Sequence, residues 1–322
     1  MSTTQPSALQ RARYVFGPVP SRRLGRSLGV DIIPKKTCTL DCVYCELGAT
    51  DRRALRRMEY VPTEAVIEEL RQALATLPNI DVITFSGSGE PTLHSGLGRM
   101  IKAVKEMTII PVAVLTNGTL MFLEEVRNDL LGADIVLPSL DAATEPVFQR
   151  INRPHPHLEL KTILDGLVEF RRIYKGHLWL EILLAKEFND GPEELEALKN
   201  AVHRIQPDRL QLNTVVRPPA VAGVEPLDHD ALSAIRMFFG PRCEIVEAGE
   251  ERIHPTTGHP DNERIVALLC RRPMTLIQLG LAMDSPETAV QESVDLLLNE
   301  GRIRRFEFHE EEYFETTETA RA

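Results

Sequence analysis

Apolar and polar residues along positions 62–216 follow two patterns that occur in turn. The first has a helical period: from Pro62 and Thr63 to about Leu77, apolar side chains recur every three or four residues. The second is a continuous apolar run, Ile80–Phe85, which is typical of a buried strand. A helix followed by a strand is therefore predicted here.

This succession repeats along most of the chain. Further helices are predicted near Leu97–Glu106, Leu120–Leu131, Leu158–Tyr174 and Pro192–Ile205. Further strands are predicted at Leu28–Ile33, Ile110–Leu115, Ala133–Leu137, His177–Ala185 and Arg209–Val216. Repeated strand–helix units indicate an α/β fold with a parallel sheet and helices on its outside. About six units can be counted, fewer than the eight of a closed barrel. Periodicity alone does not separate a partial barrel from an open doubly wound sheet.

The pattern changes after residue 217. A helix at Asp230–Phe239 and a strand at Cys243–Glu247 precede a linker that contains proline, glycine and histidine. The remaining predicted elements are helices Asn262–Arg271 and Leu276–Met283, a third helix to Glu300 with Ser285 as N-cap and Pro286 in its first turn, and strands Arg302–Phe308 and Glu312–Phe314. This order outlines a winged helix-turn-helix. The predicted domains are residues 1–248 and 262–322, joined by a linker at 249–261.

Composition narrows the class of protein. Of 322 residues, 43% are hydrophobic and 26% are charged, as in an ordinary soluble globular protein. No apolar run approaches the ~20 residues of a membrane helix, and the first residues lack a signal-peptide core. Five cysteines, three of them clustered, fit a reducing compartment better than a disulfide scaffold. A cytoplasmic location without membrane contact is therefore predicted.

The clustered cysteines are Cys38, Cys42 and Cys45, in the spacing C-x3-C-x2-C. Their thiolates can converge on one metal centre from a single loop. A [4Fe–4S] cube has four irons and normally takes four Cys ligands, so three would leave one iron open for a small molecule. Zinc is the competing interpretation, but a structural zinc site needs four protein ligands. No fourth Cys or His lies nearby, the next cysteine being Cys243.

The stretch GPVPSRRLGRSLGVDIIPKKTCTLDCVYCELG carries a family resemblance. Its cysteine motif resembles the signature of the radical S-adenosylmethionine (SAM) enzymes, and the whole stretch resembles iron–sulfur oxidoreductases related to the wybutosine-forming tRNA enzymes. The resemblance covers about residues 14–220. It implies a partial (β/α)6 barrel, open on one side, with a [4Fe–4S] cluster on the three cysteines and SAM on the open iron.

The same resemblance implies a reaction. The cluster would reductively cleave SAM, and the resulting 5′-deoxyadenosyl radical would abstract hydrogen from a substrate. An electron donor such as flavodoxin or ferredoxin would be the partner. Tyr44, which precedes the third cysteine, would pack near the adenine or anchor the loop.

A second motif, F-S-G-S-G-E-P, follows the predicted strand Ile80–Phe85. Glycines let the backbone approach a ligand closely, and parallel α/β sheets bind ligands at the carboxyl ends of their strands. The motif is similar to the GGEP motif of radical SAM enzymes, in which backbone and acid receive the SAM amino group. The matching residues are Gly87, Ser88, Gly89 and Glu90, and Ser88 stands where glycine is commoner.

Polar residues also follow other predicted strands. Thr116, Asn117 and Ser139 are candidates for SAM ribose and carboxylate contacts. Asp141 is expected to cap the helix that follows it. SLDAATEPVFQRINRP, which begins at Ser139, is similar to the stretch after this strand in molybdenum-cofactor synthase, another radical SAM enzyme.

Three more polar residues are weighed by their surroundings. Glu181 stands in an otherwise apolar strand, and charges rarely sit in a sheet unless they are paired or face a cavity, so it is predicted to point into the site. Asn213 is a weaker case of the same argument. Arg217 could hold an anion or pair with a surface acid.

The remaining cysteines and histidines do not indicate a second iron–sulfur cluster. Cys243 and Cys270 have no third and fourth partner for another cluster. Four histidines in proline-containing loops could hold a second metal, but flexible polar loops are the preferred interpretation: His155, His157, His254 and His259.

Charge bears on the partners. Residues 1–60 hold 11 Lys and Arg against 5 Asp and Glu, a balance of +6 within a chain of net charge −10. This excess fits neutralisation of a cluster, an anionic substrate, an acidic electron donor or a solvated arginine-rich face. Residues 285–300 contain four acids and no Lys or Arg, so duplex DNA binding is not expected. RNA or a nucleotide is the first substrate class and a peptide the second. The alternative from another class is a non-catalytic iron–sulfur redox sensor with the winged helix as output.

Overall fold

The computed structural model describes residues 13–246 and 260–317. Its strands are β1 (Val15–Ser21), β2 (Gly25–Val30), β3 (Thr37–Cys38), β4 (Arg52–Arg53), β5 (Val82–Phe85), β6 (Val112–Thr116), β7 (Ile135–Pro138), β8 (His177–Leu184), β9 (Arg209–Thr214), β10 (Cys243–Ile245), β11 (Ile303–Phe308) and β12 (Glu311–Thr316). Its helices are α1 (Thr63–Thr76), α2 (Leu97–Met107), α3 (Glu124–Leu130), α4 (Glu145–Ile151), α5 (Leu160–Ile173), α6 (Pro192–Ile205), α7 (His229–Phe239), α8 (Asn262–Leu269), α9 (Leu276–Met283) and α10 (Glu287–Asn299).

Eight of the strands form one sheet, in the order β1-β2-β5-β6-β7-β8-β9-β10. All neighbours from β2 to β10 are parallel, and β1 pairs with β2 antiparallel. The predicted α/β fold with a parallel sheet is confirmed. β1 was not predicted, because the prolines and glycine of VFGPVPS hide the strand pattern.

Helices cover the sheet with their apolar faces. In α1, Val66, Ile67 and Leu70 are buried, and in α2 Met100 and Ile101 are buried, as their helical spacing predicts. Burying each such side chain contributes about 1.5–3 kcal/mol to folding. Because these strands are parallel, the polar residues that follow them are gathered at one edge of the sheet.

Three local predictions are corrected. The helix predicted from Leu120 begins only at Glu124, because turn hydrogen bonds occupy the preceding stretch. The short helix α4 was not predicted, and its N-cap is Thr144 rather than Asp141, which stands three residues earlier. Ser285 is not an N-cap either, since its hydroxyl donates to the Met283 carbonyl (3.1 Å).

Residues 260–317 form a small unit, called here the C-terminal unit, of α8, α9, α10 and the β11–β12 hairpin. Its apolar core also includes Val19, with Phe16 packed against it, so it rests on strand β1. The predicted linker at 249–261 and the boundary at 248 fall mostly outside the described residues. None of the described helices combines the length and the apolarity required to cross a bilayer.

Candidate active site

A cavity of about 430 Å³ lies at the carboxyl ends of the parallel strands. The cavity is lined by the cysteine loop, the glycine-containing loop and the residues at the strand ends. These residues are up to 175 positions apart in the sequence, from Cys38 to Asn213. Each residue predicted for the site is among those that line it: Cys38, Cys42, Cys45, Tyr44, Gly87, Ser88, Gly89, Glu90, Thr116, Asn117, Ser139, Glu181 and Asn213.

The cysteine loop is closed by turns within itself. The Cys45 amide donates to the Cys42 carbonyl and the Gly48 amide to the Cys45 carbonyl, both at 3.1 Å. All three thiols are free. Burial raises the pKa of Cys38 to about 12 and that of Cys45 to about 11, and it raises the pKa of Cys42 as well. A bound metal would offset this cost, because it deprotonates the thiols it binds.

Two amides reach the cysteine sulfurs. Asn117 Nδ2 lies 3.4 Å from the Cys38 sulfur, and Asn152 Nδ2 lies 3.3 Å from that of Cys42. Such donors stabilise thiolate charge. Asn117 was predicted as a SAM contact, and the structure adds this contact with sulfur. Asn152 was missed, because it stands 110 positions from Cys42.

The glycine-containing loop is pressed against the start of the cysteine loop. The Lys36 amide donates to the Ser88 carbonyl (2.7 Å), and the Glu90 amide donates to the Thr37 carbonyl (3.2 Å). A Cβ on Gly89 would lie 2.0 Å from the Thr37 oxygen. Gly87, at φ +148°, has backbone angles that favour glycine. Close backbone approach therefore accounts for Gly89, and backbone conformation accounts for Gly87.

Ser88, the residue that departs from the glycine-rich motif, has a partner of its own. Its hydroxyl donates to Asp31 Oδ2 (2.5 Å) and its amide to Asp31 Oδ1 (3.1 Å). Burial raises the pKa of Asp31 despite these hydrogen bonds and the nearby Arg271. Asp31 was not predicted, since nothing in the local sequence indicates its partners.

Glu90 is a buried acceptor that joins three elements. One carboxylate oxygen accepts from the Thr92 amide (3.0 Å) and hydroxyl (2.5 Å) and from the Thr116 hydroxyl (2.6 Å). The other accepts from the Asn117 amide (2.7 Å). Burial nevertheless raises the pKa of Glu90. Its carboxylate thereby holds the β5 and β6 strand ends together.

Asp141 has a similar role behind the cysteine loop. Its carboxylate accepts from the Tyr44 hydroxyl, from Asn152 Nδ2 (2.8 Å) and from the Leu183 amide (3.0 Å). Burial raises its pKa. The capping role expected for it is therefore wrong: its carboxylate orders Tyr44 and the amide that contacts Cys42.

A different environment surrounds two further acids of the cavity wall, Glu181 and Glu46. Glu181 points into the cavity, as predicted, and forms an ion pair with Arg23. Arg217 donates to Glu46 Oε2 (2.7 Å), so its partner is a cavity residue rather than a surface acid. Burial acts to raise the pKa of Glu46, but Arg217, Arg272 and Arg22 together lower it. Burial lowers the pKa of Arg23 to about 10.

The C-terminal unit supplies part of the cavity wall, a contribution that local sequence patterns do not reveal. Its residues there are Leu268, Arg271, Arg272 and Met274. Arg271 lies 3.9 Å from Asp31 and stacks over the Phe16 ring at 4.6 Å. Lys35, from the barrel side, donates to the Cys270 carbonyl (2.7 Å).

The donor set fits a cubane better than a single ion. Within residues 13–246 and 260–317, no three His, Cys, Asp or Glu side chains converge closely enough to hold one metal ion. Zinc draws four ligands to about 2.0–2.3 Å around one point, whereas a [4Fe–4S] cube takes each ligand on a separate iron. Three thiols that line one cavity without converging on a single point match the second arrangement. His254 and His259 lie outside the described residues.

Comparison with known proteins agrees with this geometry. The sequence model of the Radical SAM superfamily matches residues 32–207. A UPF0026 protein of Methanocaldococcus jannaschii is 34% identical over 290 residues, 89% of this chain and 87% of that protein. A protein of Brachyspira hyodysenteriae named GTPase Obg is 38% identical over 91% of this chain, which spans 44% of its length. The fold is similar to that of Streptococcus suis SuiB bound to SAM (TM-score 0.50, 16% identity), over 65% of this chain and 46% of that one.

Proposed function

Because this chain belongs to the radical SAM superfamily and to the UPF0026 proteins, we propose that it is an enzyme that initiates hydrogen abstraction from a substrate with SAM and a [4Fe–4S] cluster. Membership of the superfamily implies both cofactors. One observation carries the proposal: the three thiols share a single cavity with the polar ends of β5, β6 and β7.

In this proposal Cys38, Cys42 and Cys45 would hold the cluster, and three protein ligands for four irons would leave one iron for SAM. When bound, the two cofactors supply one-electron cleavage of the SAM sulfonium. The protein holds them. Asn117 and Asn152 donate toward the Cys38 and Cys42 sulfurs.

The proposed contacts with SAM lie at the ends of the parallel strands. The backbone of residues 87–90 faces the amino group, and Thr116, Asn117 and Ser139 face the ribose and carboxylate. Tyr44 packs near the adenine, held in place through Asp141. Glu90 acts mainly by positioning, since both its oxygens already accept hydrogen bonds within the protein. Glu181 and Asn213 complete the wall on β8 and β9.

The C-terminal unit is proposed to be of the winged-helix type and to close the open side of a partial (β/α)6 barrel. Contacts with the barrel support a wall within the molecule. Arg26 forms a two-bonded ion pair with Asp284, and Tyr313 donates to the Val216 carbonyl (3.2 Å). Helix α10 contains acids and no Lys or Arg, so duplex DNA is not proposed as a partner. A wall of this kind also keeps water from the reacting groups.

The substrate is proposed to be a nucleotide or RNA before a peptide, because several guanidinium groups line the same cavity as the cysteines. An external one-electron donor such as flavodoxin or ferredoxin is required by this chemistry. The proposed cytoplasmic location rests on the cysteine usage, and the cysteines among the described residues are all free.

Anaerobic reconstitution followed by dithionite and SAM tests the proposal. The wild-type chain is expected to form 5′-deoxyadenosine, and Cys42→Ala is expected to lower its yield at least about 100-fold because one cluster ligand is lost. Cys243→Ala is the matched control, since Cys243 is buried in β10 away from the cavity. That variant should keep both the cluster absorbance and the product.

Two outcomes would contradict the proposal. A wild-type chain that carries a redox-active cluster but yields no 5′-deoxyadenosine would indicate the redox sensor instead. Zinc bound stoichiometrically at the cysteines after anaerobic purification would remove the cluster altogether.

A further inference from the structure

Guanidinium groups gather around one carboxylate on the cavity wall. Arg217 donates to Glu46, and Arg22 and Arg272 lie close enough to act on its charge. All four residues line the cavity. Glu46 directly follows Cys45 in the sequence, so the cluster of charges adjoins the cysteine loop.

Arg22 is the member of this group without a carboxylate of its own. Arg23, its neighbour, is paired with Glu181, and Arg271 faces Asp31. Among the residues that the structure describes, no side chain forms a hydrogen bond or ion pair with the Arg22 guanidinium. Burial and, after it, repulsion from Arg217 lower the pKa of Arg22.

Arg217 also has a hydrogen-bond donor without a partner. Its Nε is buried without a hydrogen-bond partner, although its Nη1 donates to Glu46. An unsatisfied buried donor is costly, and a charged one more so. Two partly buried guanidinium groups that share one carboxylate leave an excess of positive charge, which an anion from outside would neutralise.

We propose that Arg22 and Arg217, with Arg272 beside them, form an oxyanion-binding subsite that receives a phosphate or carboxylate group of the substrate. The inference deepens the proposed function by naming a chemical feature of its substrate. Guanidinium is suited to this task, because its planar fork donates two parallel hydrogen bonds to a phosphate or carboxylate. The subsite would place the substrate next to the cysteine loop.

Binding measurements on the reconstituted full-length chain test the subsite. Inorganic phosphate, acetate and SAM are titrated separately by calorimetry into wild type, Arg22→Gln and Arg22→Lys. Arg22→Gln is expected to weaken phosphate or acetate about tenfold, the effect of one charge-assisted hydrogen bond, and Arg22→Lys by less. Arg99→Gln is the matched control: Arg99 is 62% exposed, makes only long ion pairs at 3.6 Å and should leave all three affinities unchanged.

Each result decides the question. Preferential loss of phosphate binding indicates a phosphate ester, and preferential loss of acetate binding indicates a carboxylate. Oxyanion affinity that is the same in wild type and Arg22→Gln overturns the proposal. A loss of SAM affinity as large as that for the oxyanion also overturns it, because the arginines would then hold the SAM carboxylate. If Arg22→Gln does not fold, the comparison of Arg22→Lys with wild type decides.

Failure here is distinguishable from failure of the proposed function. A chain that cleaves SAM but binds oxyanions independently of Arg22 retains the function and loses the subsite. A chain that binds oxyanions through Arg22 but forms no 5′-deoxyadenosine retains the subsite and loses the proposed function.

Discussion

Two interfaces enclose the cavity, and they are held by different forces. The inner interface joins the cysteine loop to the strand-end loops, through the Thr37–Gly89 bridge and the buried carboxylates Glu90 and Asp141. The outer interface joins the parallel sheet to the C-terminal unit through apolar packing on Val19 and Phe16 of β1 and through polar contacts, which are Arg26–Asp284, Arg271–Asp31 and Lys35 with the Cys270 carbonyl.

The two interfaces differ in the groups that donate their hydrogen bonds. At the inner interface the carboxylates accept hydrogen bonds from amides and hydroxyls, and burial raises their pKa. At the outer interface the donors are Arg and Lys side chains. Backbone contacts and neutral hydrogen bonds fix positions with little dependence on salt, whereas partly exposed ion pairs are weak and screened. The inner interface therefore suits cofactor positioning. The ion pairs of the outer interface depend more on salt, whereas its apolar packing on β1 does not.

The largest expected effect comes from placing a methyl group in the inner interface. In Gly89→Ala the new Cβ would meet the Thr37 carbonyl oxygen at 2.0 Å, and backbone cannot easily yield. We expect a loss of about 3 kcal/mol or more in the free energy of unfolding, together with loss of SAM binding. Urea denaturation and calorimetric SAM titration measure the two effects.

The same substitution in open space is the control. A Cβ on Gly191, the N-cap of α6, has nothing within 4 Å, so Gly191→Ala should cost no more than about 1 kcal/mol. Equal losses in the two variants would mean that the close approach of the loops does not matter.

Much of the inner interface could be predicted from the sequence, and little of the outer one. The spacing of Cys38, Cys42 and Cys45 and the glycines after β5 are local patterns, so their meeting at one sheet edge follows from parallel strand order. Asp141 was misinterpreted because capping is a local role, whereas its partner Tyr44 is 97 positions away. For Asp31 and Arg271 no local pattern exists, since their contact joins parts of the chain that only the fold brings together.

Asp31 belongs to both interfaces, and its substitution is expected to change stability by an intermediate amount. It accepts from Ser88 on the inner side and faces Arg271 on the outer side. Its folded pKa is raised above 3.8 by burial. A raised carboxyl pKa contributes stability that is present below the unfolded pKa and lost as pH rises through the folded pKa.

Asp31→Asn removes this titration. The stability advantage of wild type over the variant should be about 1–2 kcal/mol where Asp31 is protonated and should shrink as pH rises from about 4 through the raised pKa. Urea denaturation of both proteins at a series of pH values measures the difference. An advantage that grows with pH would show that Arg271 dominates and that the folded pKa is lowered.

The smallest effect is expected at the outer interface itself. Arg26 donates two hydrogen bonds of 2.7 Å to Asp284, with side chains 28% and 24% exposed. A double-mutant cycle with Arg26→Ala and Asp284→Ala should give a coupling energy of about 0.5–1 kcal/mol that decreases in 1 M salt. The pair Arg71–Glu68, exposed by 56% and 54% on α1, is the control and should couple by about 0.2–0.5 kcal/mol. A coupling of several kcal/mol that resists salt would make the outer interface as rigid as the inner one, and the C-terminal unit would then be a fixed wall of the cavity.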